Sequence, residues 1–452
     1  MQFRPPLLSA LAEDRYDVLI IGGGINGAVA AAALASHGVK TALIDQRDFA
    51  GCTSQQSSNL VWGGIKYLET LEFGLVRQLC VSRNQLLQNY PSAVQEIRFL
   101  TTIRQGFRHR PCKLWCGAWL YWLMGNGFTR PPRLLSAHGI KRAEPVINTD
   151  QSLGGVEYSD AYLYDNDARF VFNFIRSAMD HGCIAANYVE SLGSSRHDDL
   201  WRTHVRDAIS GQEWRITSTI LLNATGPFVD DMNRLNGEQT EHRHVFSKGI
   251  HLIVDRVTPH DRVLAFFADD GRLFFVIPME TKTCIGTTDT RVSSPITKVT
   301  EADRHFVLDN INQCLTLDRP LTTADIIAER CGVRPLAIQG CTDEHKDFLQ
   351  LSRQHAIEVN QSRAHISVFG GKLTDCINVG EEICDIVEAM GISMPQPRRT
   401  WYGEPDAASR QAFLRRAQAI KLDDCAPAGA TEGLSTRLWR RYGMQALALL
   451  DH

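Results

Sequence analysis

Several features that would place a chain in a special class are missing or scarce here. The longest notable uncharged apolar run in the first third, Leu114–Met124, is about half of the ~20 residues that a spanning helix needs, so no transmembrane helix is expected. Charge of one sign is scarce too. Forty-eight Lys plus Arg stand against 51 Asp plus Glu, a net charge of -3, which removes the field that sequence-independent nucleic-acid binding relies on. No nucleic-acid partner is expected. Cysteine pairs with CxxC spacing are absent, Cys112 and Cys116 coming nearest at i, i+4, and 12 cysteines over 452 residues are too dilute for a small disulfide scaffold. Free thiols in a reducing, cytoplasmic setting follow. The N-terminal MQFRPPLLSALAEDRYD is broken by Pro5 and Pro6 and followed by acids, unlike a secretory signal. Internal repeats and low-complexity tracts are also missing. What remains, 44% hydrophobic and 22% charged, is the composition of an ordinary folded protein. At about 150 residues per domain it forms two to four units or one large discontinuous one.

Among the features present, Tyr16-Asp-Val-Leu-Ile-Ile21 is a continuous apolar run of the kind buried on both faces of a parallel sheet. Gly22-Gly-Gly-Ile-Asn-Gly27 follows, then the Ala-rich stretch Ala28–His37, stopped by Gly38, and a second strand over Val39–Asp45. This βαβ unit carries Gly22-x-Gly24-x-x-Gly27 at the strand-to-helix turn, with Asp45 closing the next strand. Gly22 permits the tight turn, Gly24 lets backbone approach a pyrophosphate, and Gly27 allows close helix–strand packing. The helix N-terminus offers N–H donors to the anion, and Asp45 accepts from ribose hydroxyls. The fingerprint predicts a dinucleotide but does not separate FAD from NAD. Two further strand-to-turn segments, Ile220–Gly226 and Ser367–Thr374, favour the larger FAD.

Later strands are predicted around Trp214–Asn223, His251–Asp255, Leu273–Pro278, Thr283–Gly286 and His365–Phe369, and helices near Leu75–Asn89, Arg169–His181 and Glu381–Met390. Strands mixed with helices, and a Gly-rich turn that recurs late, predict interleaved domains. After Pro395 the chain is Arg-rich and helical in pattern, over Ala407–Ile420 and Leu434–Leu450.

The segments GGGINGAVAAAALASHGVKTALID, CTSQQSSNLVWGGIKYLETLEFGLV, EYSDAYLYDNDARFVF, LLNATGPFVDDM, SKGIHLIV, LFFVIPMETKTCIGTTDT, CGVRPL and SVFGGKLT resemble, in order, those of the FAD-dependent, quinone-linked glycerol-3-phosphate dehydrogenases. The resemblance implies an α/β fold: a glutathione-reductase-like FAD-binding Rossmann domain interleaved with an α+β antiparallel-sheet substrate domain, plus a short helical C-terminal segment. The implied FAD domain comprises 1–75, 150–235 and 340–392, the substrate domain 76–149 and 236–339, and a shortened helical cap 393–452. The implied reaction is oxidation of sn-glycerol 3-phosphate to dihydroxyacetone phosphate by hydride transfer to flavin N5, with electrons passed to a quinone. Cofactor positions carried over are Gly22, Gly24, Ile25, Asn26, Gly27, Asp45, Gln46, Thr53, Ser54, Ser57, Ser58, Gly63, Gly64, Ala224, Thr225, Gly226, Gly371, Lys372, Leu373 and Thr374. Catalytic or phosphate-holding positions are His251, Arg334, Lys372, Arg272, Lys66 and Tyr67. His251 is assigned as base or orienting residue because imidazole exchanges protons near neutrality. Bland alternatives stand beside these: Arg334 as a partner for Glu329, Lys372 as a contact to flavin oxygens, and His251 as a core histidine. His242 and His244, with no carboxylate or Cys nearby in sequence, are read as non-metal.

Where the family shows a basic residue, a His and an Arg, this chain has Asn59, Trp62 and Lys66, so two cations and one bidentate fork are lost. Another small anionic hydroxy or amino compound, or a non-catalytic FAD-binding partner role, therefore stays open. Basic residues Arg104, Arg108, His109, Arg110, Lys113, Arg130 and Arg133 flank Trp115, Trp119, Tyr121 and Trp122. They suggest a peripheral surface resting on the cytoplasmic face of an inner membrane, against the alternative of a buried helix. The resemblance also leaves a homodimer open.

Overall fold

A computed structural model describes residues 4–267, 272–286, 288–340, 354–397 and 399–451. Thr287 of the GTTDT segment and the 341–353 part of the expected FAD domain lie outside the described residues. Contacts divide the chain into two compact units, Met1–Gln55 with Asp165–Phe246 and Arg334–His452, and Gln56–Tyr164 with Ser247–Val333. These borders depart from the expected 75/76 and 149/150. The reason is pairing: the short Leu60–Val61 strand sets Leu60 opposite Tyr162 and Val61 opposite Ala161, which draws residues 56–75 and 150–164 into the second unit. The C-terminal segment likewise groups with the first unit rather than standing apart as a cap. Arg440 Nε donates to Asp165 at 3.0 Å and Arg176 Nη1 to the Arg441 carbonyl at 3.0 Å.

The first unit is built on an eight-stranded sheet. Its parallel centre runs His365–Gly370, Glu213–Asn223, Arg15–Ile21, Thr41–Ile44, Ile184–Ala186, while His355–Asn360 forms an antiparallel edge. An antiparallel hairpin, Val189–His197 and Leu200–Asp207, joins it along Glu213–Asn223. The Ile25–Ser36 helix is buried on every side, Ala28 to Leu34 having no exposed surface. Its alanines explain this, since methyl-sized side chains let neighbouring elements close in at interior density. Leu19, Ile21, Ala42, Ile44, Trp201 and Leu221 form the core on the sheet. Phe413, Trp439 and Ala446 make a small separate core among the C-terminal helices Ala407–Ala419 and Leu434–Tyr442. The expected continuous helix to Leu450 is interrupted at Gly443, whose φ is +53°.

The second unit carries a ten-stranded sheet. Most of its pairings are antiparallel, but Arg262–Phe267 runs parallel to Val94–Arg104, so the expected antiparallel sheet is in fact mixed. Successive residues go to opposite faces. Leu252, Leu264, Phe266, Phe274 and Val276 enter one core with Ile311 of the Glu301–Cys314 helix. Ile253, Val263, Ala265, Phe275 and Ile277 enter another with Tyr121 and Ala118 of the Pro111–Met124 helix. Helices on both faces are why these strands read as uninterrupted apolar runs. Among the described residues no helix is long and apolar enough to cross a membrane.

Candidate active site

In the first unit the site starts where the Arg15–Ile21 strand ends. Gly22 has φ +108°, and a Cβ there would lie 2.5 Å from the Ala224 carbonyl oxygen; one on Gly27 would lie 1.8 Å from that of Gly22. Neither position admits a side chain. Gly24 is different, for its backbone is extended and only Ser54 Oγ, at 3.3 Å, would meet an added Cβ. Its smallness keeps the approach to the helix start open. Ile25–Ser36 begins without a side-chain cap, and the Ile25 N–H donates to Ser54 Oγ at 3.1 Å. Such an end attracts an anion.

Asp45 Oδ2 accepts the Gly23 N–H at 2.7 Å and Oδ1 the Arg47 N–H at 2.8 Å. Burial raises its pKa, opposed by these two backbone donors. The carboxylate is thereby held at the strand end with lone pairs left for a hydroxyl. The three glycine turns seen separately in the sequence are joined here. The Ala224 N–H donates to the Ile21 carbonyl at 2.9 Å, and Asn26 Nδ2 donates to the Gly370 carbonyl at 3.0 Å.

They border one cleft of about 1020 Å³, its open side included, in the size class of cofactor sites. Gly22, Gly24, Ile25, Asn26, Asp45, Gln46, Thr53, Ser54, Ala224, Thr225, Gly226 and Gly371 line it. Gly27 instead lies beneath the turn, packed on Gly22. Lys372 precedes the short Leu373–Asp375 helix as its N-cap, with Thr374 buried and Leu373 half-buried; none of these three lines the cleft. Ser57, Ser58, Gly63 and Gly64 belong to the second unit.

Sequence reasoning missed Val189, Glu190 and Ser191, which line the cleft from the start of the hairpin. The signal was the short CIAANYVESL stretch after the Asp167–Asp180 helix, which completes another helix-to-strand return. It also missed His244. Its Nε2 accepts the Gly370 N–H at 3.2 Å and its Nδ1 lies 3.3 Å from Asp230 Oδ2, so the ring steadies the Gly370–Gly371 turn. His242 Nδ1 is 2.6 Å from Glu358 Oε1. Both histidines thus have the carboxylate partners that sequence proximity did not reveal, and no metal-binding cluster occurs among the described residues.

In the second unit His251 is buried on the His242–Asp255 strand, opposite Gly286. A Cβ on Gly286 would lie 2.7 Å from His251 Cδ2, so the glycine of CIGTTDT makes room for the ring. Lys66 and Tyr67 sit on the Ile65–Leu68 turn, which starts at Gly64 with φ +79°. Trp62 packs 5.9 Å from the Tyr67 ring and 6.2 Å from that of Phe275, an aromatic cluster that absorbs this departure from the family pattern. The loop is anchored from below. Asp160 Oδ1 accepts the Gly63 N–H at 3.1 Å, Arg83 Nη1 at 2.7 Å and the Tyr121 hydroxyl at 2.6 Å, all buried. Arg272 lies with its guanidinium 4.3 Å over the Phe306 ring. Arg334, in the first unit, is half-buried; the alternative partner Glu329 is taken by Arg304 through both carboxylate oxygens.

The Pro111–Met124 helix is neither fully buried nor fully outward. Trp115, Trp119 and Trp122 stack edge-to-face, all half-buried, and Trp122 Nε1 donates to the Thr129 carbonyl at 2.6 Å. The outward residues are Cys112, Lys113, Cys116, Leu120 and Leu123.

A family model described as FAD dependent oxidoreductase matches residues 17–357. Glycerol-3-phosphate dehydrogenase 2 of Mycobacterium bovis is 32% identical over 373 residues, covering 80% of this chain and 61% of that protein. Aerobic glycerol-3-phosphate dehydrogenase of Bacillus subtilis is 32% identical over 394 residues, covering 85% and 69%. The chain therefore spans about three fifths to two thirds of these relatives' length. Among solved structures, the glycerol-3-phosphate dehydrogenase from Bacillus halodurans complexed with FAD superposes with a TM-score of 0.74 at 23% identity, covering 99% of this chain and 79% of that one.

Proposed function

The chain belongs to the FAD-dependent oxidoreductases and has their mixed α/β fold, and from that premise we propose that it oxidises sn-glycerol 3-phosphate to dihydroxyacetone phosphate and delivers the electrons to a quinone. The observation that carries this is the 32% identity over 394 residues with a Bacillus subtilis relative named for aerobic glycerol-3-phosphate dehydrogenase activity. FAD is the cofactor, and when bound it supplies the hydride acceptor at flavin N5.

The first unit is the cofactor domain in this reading. The Gly22–Gly27 turn and the uncapped helix start hold the pyrophosphate, Asp45 accepts from the ribose, and Asn26 ties that turn to Gly370–Gly371. The residues fit the group: a side chain at Gly22 or Gly27 would meet main chain, while the open approach at Gly24 leaves a place for phosphate oxygens. The second unit is the substrate domain. His251 takes the hydroxyl proton as the carbinol is oxidised. Arg272 and Lys66 of this unit are assigned to the dianionic phosphate, with Tyr67 orienting the glycerol backbone. Peripheral membrane attachment completes the proposal, supported by the outward leucines of the Pro111–Met124 helix beside Arg108, Arg110 and Lys113.

Anaerobic addition of glycerol 3-phosphate to the purified yellow protein tests this by bleaching of the visible flavin band. Bleaching is expected, slowed roughly 10²–10⁴-fold in His251→Asn at unchanged flavin content. Bleaching only by another anionic hydroxy or amino compound moves the assignment to that substrate. No bleaching across a panel leaves a non-catalytic flavoprotein.

A further inference from the structure

Arg330 has a role that its sequence context did not suggest. It lies on the Ala328–Gln339 strand, half-buried, and its Nη1 donates to the Ser57 carbonyl at 3.0 Å and to Asn59 Oδ1 at 3.2 Å, with Nη2 3.6 Å from Met279 Sδ. Strand and turn are in close contact, since a Cβ on Gly332 would come within 2.8 Å of Gln56 Cβ. Asn59 is buried at φ +58°, a conformation Asn tolerates better than most residues, and its carbonyl accepts the Leu163 N–H at 2.8 Å. The guanidinium is thus fixed at the turn where the chain has Asn59 instead of the family's basic residue.

Among the described residues its charge is not neutralised locally. Arg304 is held by Glu301 and Glu329, and Arg262 by Glu144 and Glu157, but no carboxylate among the described residues lies within ion-pair distance of Arg330. Its protein partners are a carbonyl, an amide oxygen and a thioether, which orient it without cancelling its charge. Such a guanidinium, with donors to spare, suits an oxyanion.

We propose that Arg330 supplies, from a distant strand, the cation missing at position 59, and that it is a specificity-determining residue for the phosphate of the substrate. This rests on the functional reading above and narrows it to phosphorylated substrates. The test uses the holoenzyme, with inorganic phosphate titrated calorimetrically and steady-state kinetics on glycerol 3-phosphate. Arg330→Gln keeps a donor for the Ser57 carbonyl while removing the charge. It is expected to weaken phosphate binding and raise KM by about tenfold or more, with kcat within about threefold. Adding Asn59→Lys to that variant returns the charge to the turn and recovers phosphate binding, which a merely structural role would not do. Unchanged phosphate affinity in Arg330→Gln, or a loss that neither Asn59→Lys nor Arg330→Lys recovers, overturns the proposal. Phosphate binding needs no turnover, so this result is separable from a failure of glycerol 3-phosphate to bleach the flavin.

Discussion

In the first unit the groups offered to a ligand are mostly main chain: the turn at Gly22–Gly27, the uncapped start of Ile25–Ser36, and the Thr225–Gly226 and Gly370–Gly371 turns around one cleft. In the second unit the proposed groups are side chains, His251, Lys66, Tyr67, Arg272 and Arg330, of which His251 packs on Gly286, Arg272 on Phe306 and Arg330 on the Ser57–Asn59 turn, all far away in sequence. A backbone site tolerates no change at its glycines, because a side chain there meets main chain that cannot yield. A side-chain site can relocate a function, as a guanidinium 271 residues along the chain bonds to Asn59. On the proposal for Arg330, anion recognition persists where the family's basic residue is gone.

The largest effect should come from attacking the backbone site. Gly27→Val places a branched side chain against the Gly22 carbonyl, and the protein is expected to purify without flavin; a full complement of bound flavin would break the contrast. On the other side stands the buried anchor of the Gly63 loop. Burial pushes the Asp160 carboxyl upward, opposed by Arg83 and the other donors. Asp160→Ala leaves Arg83 buried without its counter-charge, and should cost about 3–5 kcal/mol in chemical denaturation. Paired replacement by Asp160→Leu and Arg83→Met should recover most of it. A cost below about 1 kcal/mol would mean that the loop is held by something else.

The third prediction concerns His355, which borders the Gly371 turn and is mostly buried. Burial works against its charge, but Asp375, 3.2 Å from Nδ1, and Glu382, 2.8 Å from Nε2, outweigh it and raise its pKa to about 9. A folded pKa above the unfolded value of about 6.5 gives stability that is complete below that pH and is lost as pH rises through about 9. Unfolding free energies measured from pH 6 to 10 should fall more for the native protein than for His355→Gln, and parallel curves would remove the claim. The smallest effect is at the surface. Leu120→Ser with Leu123→Ser should weaken sedimentation with anionic liposomes about tenfold while leaving flavin reduction intact. Equal sedimentation would confine the second unit's function to its interior.

Much of this was legible before the structure. The strand, glycine turn and Ala-rich helix of residues 15–36 each obey a local rule, and so do the alternating strands of the second unit, whose apolar runs announce burial on both faces. The aromatic helix was only half legible. Its composition suggested a membrane surface, but that the three tryptophans are half-buried, with Trp122 finding a carbonyl acceptor, took the structure to show. The domain borders shifted for a similar reason, since two residues at Leu60–Val61 suffice to recruit a whole loop once a long strand offers them an edge.

Glycine spacing, strand length and helix propensity act over a few neighbouring residues, so the sequence by itself determined the nucleotide turn, its Asp45 and the α/β class. Which charge faces which is decided by chain closure over hundreds of residues. Asp160 on Arg83, His244 on Asp230 and the Gly370 turn, and Arg330 on Asn59 are pairs that only the tertiary structure brought together, because hydrogen bonds and ion pairs act over a few ångströms of space and take no account of distance along the chain.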